Sequence, residues 1–277
     1  MRRLLSMLVC VSALSAQDAL EIVRRSVQHD QANWERAKNY TYVVRSTMRE
    51  RDSGGKVKKT EAEAEEIYIL YGEPYEKRIE KDGKPLPAEE QRKEQQKFDK
   101  EMARRQNESP EQRRKRIEAF EKKRREQRDF AREIPEAYNF KLVGEENVNG
   151  RPAWVVDATP RAEYQPRNSR AAMLKKFRGR MWIDQKEYQW VRMDGEVIDT
   201  VSWGVVLARL AKGSRIFFEQ VRVNDEVWMP KQVKVNLDAR IALLKRYQGD
   251  IDLSFQDFRK FQSESRIVST AELNKTP

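Results

Sequence analysis

Two residue types that carry much of protein chemistry are almost missing from this sequence, which has one histidine, His29, and one cysteine, Cys10. Transition-metal sites need clustered imidazoles or thiolates, so the composition excludes a zinc site. Catalysis by a serine nucleophile usually needs a histidine base, and the residues around His29 resemble no catalytic motif. A carboxylate pair for glycoside hydrolysis stays open, because any two of many Asp and Glu residues can converge in space. We expect no metal, no cofactor and no catalytic activity.

The apolar segment from Leu4 to Leu14 is too short to cross a bilayer as a helix. It follows Arg2-Arg3 and precedes Ser15-Ala16, which is the pattern of a secretory signal peptide. We predict that residues 1–16 form a signal peptide, cleaved near Ala16, and that the protein is periplasmic or associated with the outer membrane. Cleavage there removes Cys10, so the mature chain forms no disulfide.

Residues 86–134 differ in composition from their surroundings, because they mix acidic and basic side chains densely and contain few large apolar ones. Such mixing is typical of solvated helices. Ser109 and Pro110 form the start signal of a second helix, with Gln112 three residues after the cap. We predict two helices that meet near Asn107, as a projecting hairpin or a bent arm inserted into the domain.

In the rest of the chain, the spacing of the apolar residues changes from that of a helix to that of strands. Leu20, Val23 and Trp34 follow helical spacing in a predicted amphipathic helix from Asp18 to Asn39. Later segments alternate apolar and polar residues with period two, which indicates an antiparallel sheet with one wet face. We predict chain reversals at Asp194-Gly195, Asn224-Asp225 and Gln248-Gly249-Asp250. We also predict one or two helical turns from Val205 to Leu210.

Several segments together resemble the LolA-like superfamily of periplasmic lipoprotein-sorting and lipid-handling proteins, and more closely its uncharacterised secreted branch. They are GRPAWVVDATP, RGRMWIDQKEYQWVRMD, GSRIFFEQVRVNDEVWMPKQVKV and DIDLSFQDFRKF. The resemblance implies an α+β fold in which a strongly curved antiparallel sheet, a half-barrel, wraps helices and shields acyl chains in an apolar groove. It places one such domain at residues 17–85 and 135–262, interrupted by the charged helices and followed by a flexible tail at residues 263–277.

The resemblance implies that one face of the sheet binds the ligand, but it assigns no individual binding residue. We expect this face to bind a lipid, an acyl chain or a lipidated protein through apolar positions in the strands. These are Trp154, Val156, Ile183, Val233, Val235, Ile251, Leu253 and Phe255.

The formal charge of +11 and two cationic runs in the charged segment leave a second hypothesis open. In it the protein is a structural adaptor whose helical arm contacts an anionic envelope surface or a protein partner, and the sheet is a stable base. The expected contact residues are Arg113, Arg114, Lys115, Arg116, Lys122, Lys123, Arg124 and Arg125. Export of the chain argues against a nucleic acid as the partner.

Overall fold

The computed structural model describes residues 2–203, 208–241 and 245–260. Within them the helices are α1 (Arg2–Ala37), α2 (Ala88–Gln106), α3 (Pro110–Ala137) and a 3₁₀ helix (Ala171–Lys176). The strands are β1 (Tyr40–Arg51), β2 (Val57–Leu70), β3 (Glu73–Lys81), β4 (Lys84–Pro85), β5 (Tyr138–Val148), β6 (Arg151–Pro160), β7 (Phe177–Asp184), β8 (Trp190–Val197), β9 (Val201–Trp203), β10 (Ala208–Leu210), β11 (Arg215–Val223), β12 (Val227–Ile241) and β13 (Lys245–Lys260).

The strands form one open antiparallel sheet. Their order is β4-β3-β2-β1-β13-β12-β11-β8-β7-β6-β5, and β10, which pairs with β9, attaches to β12. The two ends of the sheet, β4 and β5, do not pair in the described part of the chain, so the sheet is not closed into a barrel. The predicted α+β class, with an antiparallel sheet that wraps helices, is confirmed.

One of the predicted reversals is a turn, and two are not. Asn224 and Asp225 have φ values of 50° and 52° between β11 and β12, as a tight hairpin with both central residues at positive φ requires. Asp194-Gly195 lies inside β8, and residues 248–250 lie inside β13. The predicted helical turn is also wrong where it can be checked, because residues 208–210 form strand β10 and residues 204–207 lie outside the described ranges.

Helix α1 packs on one face of the sheet, which we call the inner face and define by Val156 and Met181. Ala19, Ile22 and Val23 of α1 form a buried cluster with these two residues and their neighbours on β5 and β7. The cluster covers the half of the sheet from β5 to β8. No helix among the described residues is long and apolar enough to span a membrane.

The charged segment folds as two helices, and neither of them projects. Phe98 of α2 is 5% exposed and lies between the rings of Tyr68 and Tyr75, with ring-centroid distances of 4.9 and 5.6 Å. The buried guanidinium of Arg105 donates to the Leu70 carbonyl oxygen at 2.7 Å. Helix α3 begins at the predicted capping box of Ser109 and passes alongside α1. Of the two predicted shapes, a projecting hairpin or a bent arm, the packing of Phe98 and Arg105 on the strands does not fit the projecting one.

Candidate ligand-binding face and cavity

The residue pairing between neighbouring strands shows that the inner face extends across the middle of the sheet. In antiparallel pairs, residues directly opposite each other point to the same face. One row of such pairs runs through six strands: Val156, Met181, Met193, Phe218, Val233 and Leu253. The apolar positions predicted on β6, β12 and β13 therefore share one face, as the alternation in the sequence indicates.

The helices divide the predicted apolar positions into two groups. Val156 and Ile183 are fully buried, and Trp154 packs against the same cluster as the α1 residues. These three side chains therefore belong to the core between the sheet and α1, where they stabilise the fold.

The remaining predicted positions are only half-buried: Val233, Val235, Ile251, Leu253 and Phe255. None of them packs into a buried cluster formed by the described residues. Ile216 and Phe218 of β11 extend the same surface, because Val235 pairs with both Ile216 and Ile251. We call these seven residues the open apolar face.

A row of carboxylates borders the open apolar face. Ser46 and Met48 of β1 pair with Leu253 and Ile251 on one side, and with Glu63 and Glu61 of β2 on the other. Glu65 continues this row, and desolvation, followed by repulsion from Glu76, raises its pKa. This border was not predicted, although the alternation EAEAE at residues 61–65 places its three glutamates on one face of a strand.

A cavity of about 240 Å³ lies beside the open apolar face, between α1, α3 and the ends of several strands. Trp34 and Phe120 line it from the helices, and Tyr42, Ile69 and Met229 line it from the sheet. The ring of Tyr42 lies 6.1 Å from the ring of Phe255, which belongs to the open apolar face. The cavity and the face are therefore connected through these two rings.

Polar atoms without partners lie within this mostly apolar wall. Trp34 Nε1, Arg124 Nε and Gln220 Oε1 are buried, and none has a hydrogen-bond partner in the described part of the chain. The Arg124 guanidinium stacks on the Trp34 ring, with its central carbon 3.2 Å from the ring centroid. Burial lowers the pKa of Arg124, although the negative charge of Asp30 partly opposes this effect.

Two of the cations predicted to contact an anionic surface point into the molecule instead. Arg116 donates to Glu108 at 2.9 Å and is largely buried, and Arg124 lines the cavity. Arg113 lies over the ring of Tyr71, and Arg114 and Lys115 pair with acidic residues one helical turn away. Lys122, Lys123 and Arg125 are exposed and have no ion pair within the described ranges. The anionic-surface contact stays a prediction for these three residues, and cosedimentation with anionic vesicles tests it.

The face and the cavity offer mainly apolar contact, and the cavity adds the unpartnered Trp34 Nε1, Arg124 Nε and Gln220 Oε1 atoms. In residues 2–203, 208–241 and 245–260, no group of three His, Cys, Asp or Glu side chains is placed to hold a metal ion.

Comparison with known proteins found matches among solved structures. A DUF1329 family protein from Desulfovibrio piger matches with a TM-score of 0.35 and 13% identity over 91% of this chain and 95% of its own. A domain described as outer membrane lipoprotein-sorting, from Vibrio parahaemolyticus, has a TM-score of 0.32 and 11% identity over 88% and 95%. A LolA superfamily protein from Nitrosomonas europaea has a TM-score of 0.27 and 10% identity over 91% and 95%.

One of these structures is described as a LolA superfamily protein, and the sequence segments resemble the same superfamily. A scan of family models and a search of curated proteins found no match. No function follows from structural similarity at this level of identity and superposition.

Proposed function

We propose that this protein binds an acyl chain, either of a free lipid or of a lipidated protein, along the open apolar face and in the adjoining cavity. It acts as a carrier or sensor and catalyses no reaction. The observation that supports this proposal is the row of half-buried apolar side chains that continues beyond the helix-covered core. Export to the periplasm, with cleavage near Ala16, is part of the same proposal.

The energetics favour an apolar ligand without any catalytic group. Each CH₂ group moved out of water contributes about 0.8 kcal/mol, so even a few ordered methylenes give measurable binding. The face crosses β11, β12 and β13, and neighbouring strands are spaced by roughly 4.8 Å, so it is about 10 Å wide. A cavity of about 240 Å³ is smaller than typical drug-sized pockets of about 300–1,000 Å³. The cavity therefore accommodates one end of a long ligand, and the face accommodates the rest.

Two substitutions at neighbouring positions of β12 test this assignment. Val235→Glu places a charge on the open apolar face, and we expect it to weaken binding of a fluorescent fatty acid by roughly tenfold or more. Lys234→Gln changes the charge by the same amount on the opposite face, and we expect it to leave the affinity unchanged. Equal affinities for both variants and the wild type would place the ligand elsewhere.

A further inference from the structure

Three buried polar atoms without partners are concentrated in one cavity. Buried polar groups in proteins are almost always hydrogen-bonded. Ten buried side-chain N and O atoms have no hydrogen-bond partner among the described residues. Three of them, Trp34 Nε1, Arg124 Nε and Gln220 Oε1, belong to side chains that line this cavity, and none of the other seven, which include Trp190 Nε1, belongs to a lining side chain. The cavity therefore lacks hydrogen-bond partners that a ligand can supply.

The donors define the chemistry of that ligand. Trp34 and Arg124 each present an N–H group, and a carbonyl oxygen has two lone pairs that accept from both. The Gln220 amide accepts a hydrogen bond through its oxygen, or donates one through its nitrogen if the two atoms are exchanged. Tyr42, Phe120 and Met229 make much of the remaining wall apolar, which favours a carbonyl that belongs to a largely apolar molecule.

The other charges of the cavity do not select an anion over a neutral group. Asp30 lines the cavity together with the cationic Arg124, and its negative charge acts on that guanidinium. Lys38 lines it too, and its Nζ atom lies 2.8 Å from Glu35 and 3.9 Å from Glu121. Because charges of both signs lie here, the ligand needs an oxygen that accepts hydrogen bonds from the unpaired donors, and it does not need a net negative charge.

We propose that the acyl carbonyl of the ligand is held in this cavity by Trp34 and Arg124, and that the chain runs past Tyr42 and Phe255 onto the open apolar face. This inference rests on the proposed acyl binding and adds the orientation and head-group chemistry of the ligand. Arg124 and Phe120 belong to α3, so the charged segment builds one wall of the site and supplies one of its two donors.

Three probes of equal chain length test the inference: decanoic acid, decanamide and decane. Their affinities are measured for the wild type, for Trp34→Phe, which removes the N–H and keeps an aromatic ring, and for Trp190→Phe as the matched control. We expect Trp34→Phe to weaken binding of the acid and the amide by roughly three- to tenfold, the effect of one hydrogen bond. We expect decane to bind both variants as it binds the wild type. Preference for the acid or the amide then identifies a free carboxylate or a neutral acyl linkage as the source of the carbonyl.

The possible failures are distinguishable. If Trp34→Phe changes the affinity of all three probes equally, or of none, the carbonyl is not held at Trp34, and the inference is overturned while acyl binding stands. If the wild type binds none of the probes, both proposals are wrong. Arg124→Met, which keeps the apolar stem and removes the guanidinium, provides a second variant, and we expect it to show the same selective loss.

Discussion

Asn33 joins α1 to the sheet through a single side chain. Its Nδ2 donates to the Trp228 carbonyl oxygen at 2.8 Å, and its Oδ1 accepts from the Trp228 backbone N–H at 2.7 Å. The residue is 5% exposed, so both backbone groups of Trp228 depend on it in a buried environment. No local pattern marks this role, because an asparagine inside an amphipathic helix looks like a solvated residue until its strand partner is known.

Asn33→Ala should lower the free energy of unfolding by about 2 kcal/mol, since it leaves a buried donor and acceptor without partners. Urea denaturation measures the change. Asn39→Ala, at an exposed residue just beyond the helix, is the control and should lower it by less than about 0.5 kcal/mol. Equal losses for the two variants would mean that the contact with Trp228 contributes little.

Glu101 links stability to pH. Hydrogen bonds from Arg104 and Arg105, each at 2.6 Å, lower its pKa to about 2. A carboxylate whose pKa is lowered by folding stabilises the native state above its ordinary pKa of 4.5, and that stabilisation is lost as pH falls toward 2.

Glu101→Gln should therefore cost about 1 kcal/mol at pH 6, after allowance for solvent screening, and less at pH 3. Glu118→Gln, which removes the carboxylate of an exposed ion pair with Arg114, is the control and should change the free energy of unfolding at pH 6 by less than about 0.5 kcal/mol. A difference between Glu101→Gln and wild type that is as large at pH 3 as at pH 6 would show that the ion pairs do not set this pKa.

At the scale of elements, local patterns predicted most helices and strands and misplaced some turns. Gly195 illustrates the reason. It lies inside β8 and pairs with Gly179 of β7. A Cβ atom on Gly179 would approach the Asp194 carbonyl oxygen to 2.8 Å, so a glycine at position 179 permits the close approach of the two strands at this pair. Gly249 likewise lies in β13, which pairs on both sides, and pairing over a long strand outweighs the turn preference of three residues.

Packing of α2 on β2 and β3 should depend on Phe98. Phe98→Ala removes a ring enclosed by Tyr68 and Tyr75, and the loss should be about 3 kcal/mol in the free energy of unfolding. Hydrogen exchange should quicken in α2 and β3 before it does in β6 and β7. Uniform quickening throughout the sheet would show instead that α2 is not a separately stabilised element.

At the scale of the whole molecule, the sequence predicted the architecture better than the site. The α+β class and the shared apolar face follow from periodicity and from the resemblance of several strands. Which part of that face is covered depends on where α1 and α3 pack, and this is set by long-range contacts such as Arg124 on Trp34. For this reason Trp154, Val156 and Ile183 belong to the core, whereas Val233 and Leu253 stay half-buried.

The most direct test of acyl binding is native mass spectrometry of the protein, purified without detergent. We expect it to carry a noncovalent adduct with the mass of a lipid or lipidated peptide, and Val235→Glu to reduce that adduct strongly. Lys234→Gln should retain it. A wild-type protein that is free of adduct and also ignores added decanoic acid would contradict the account.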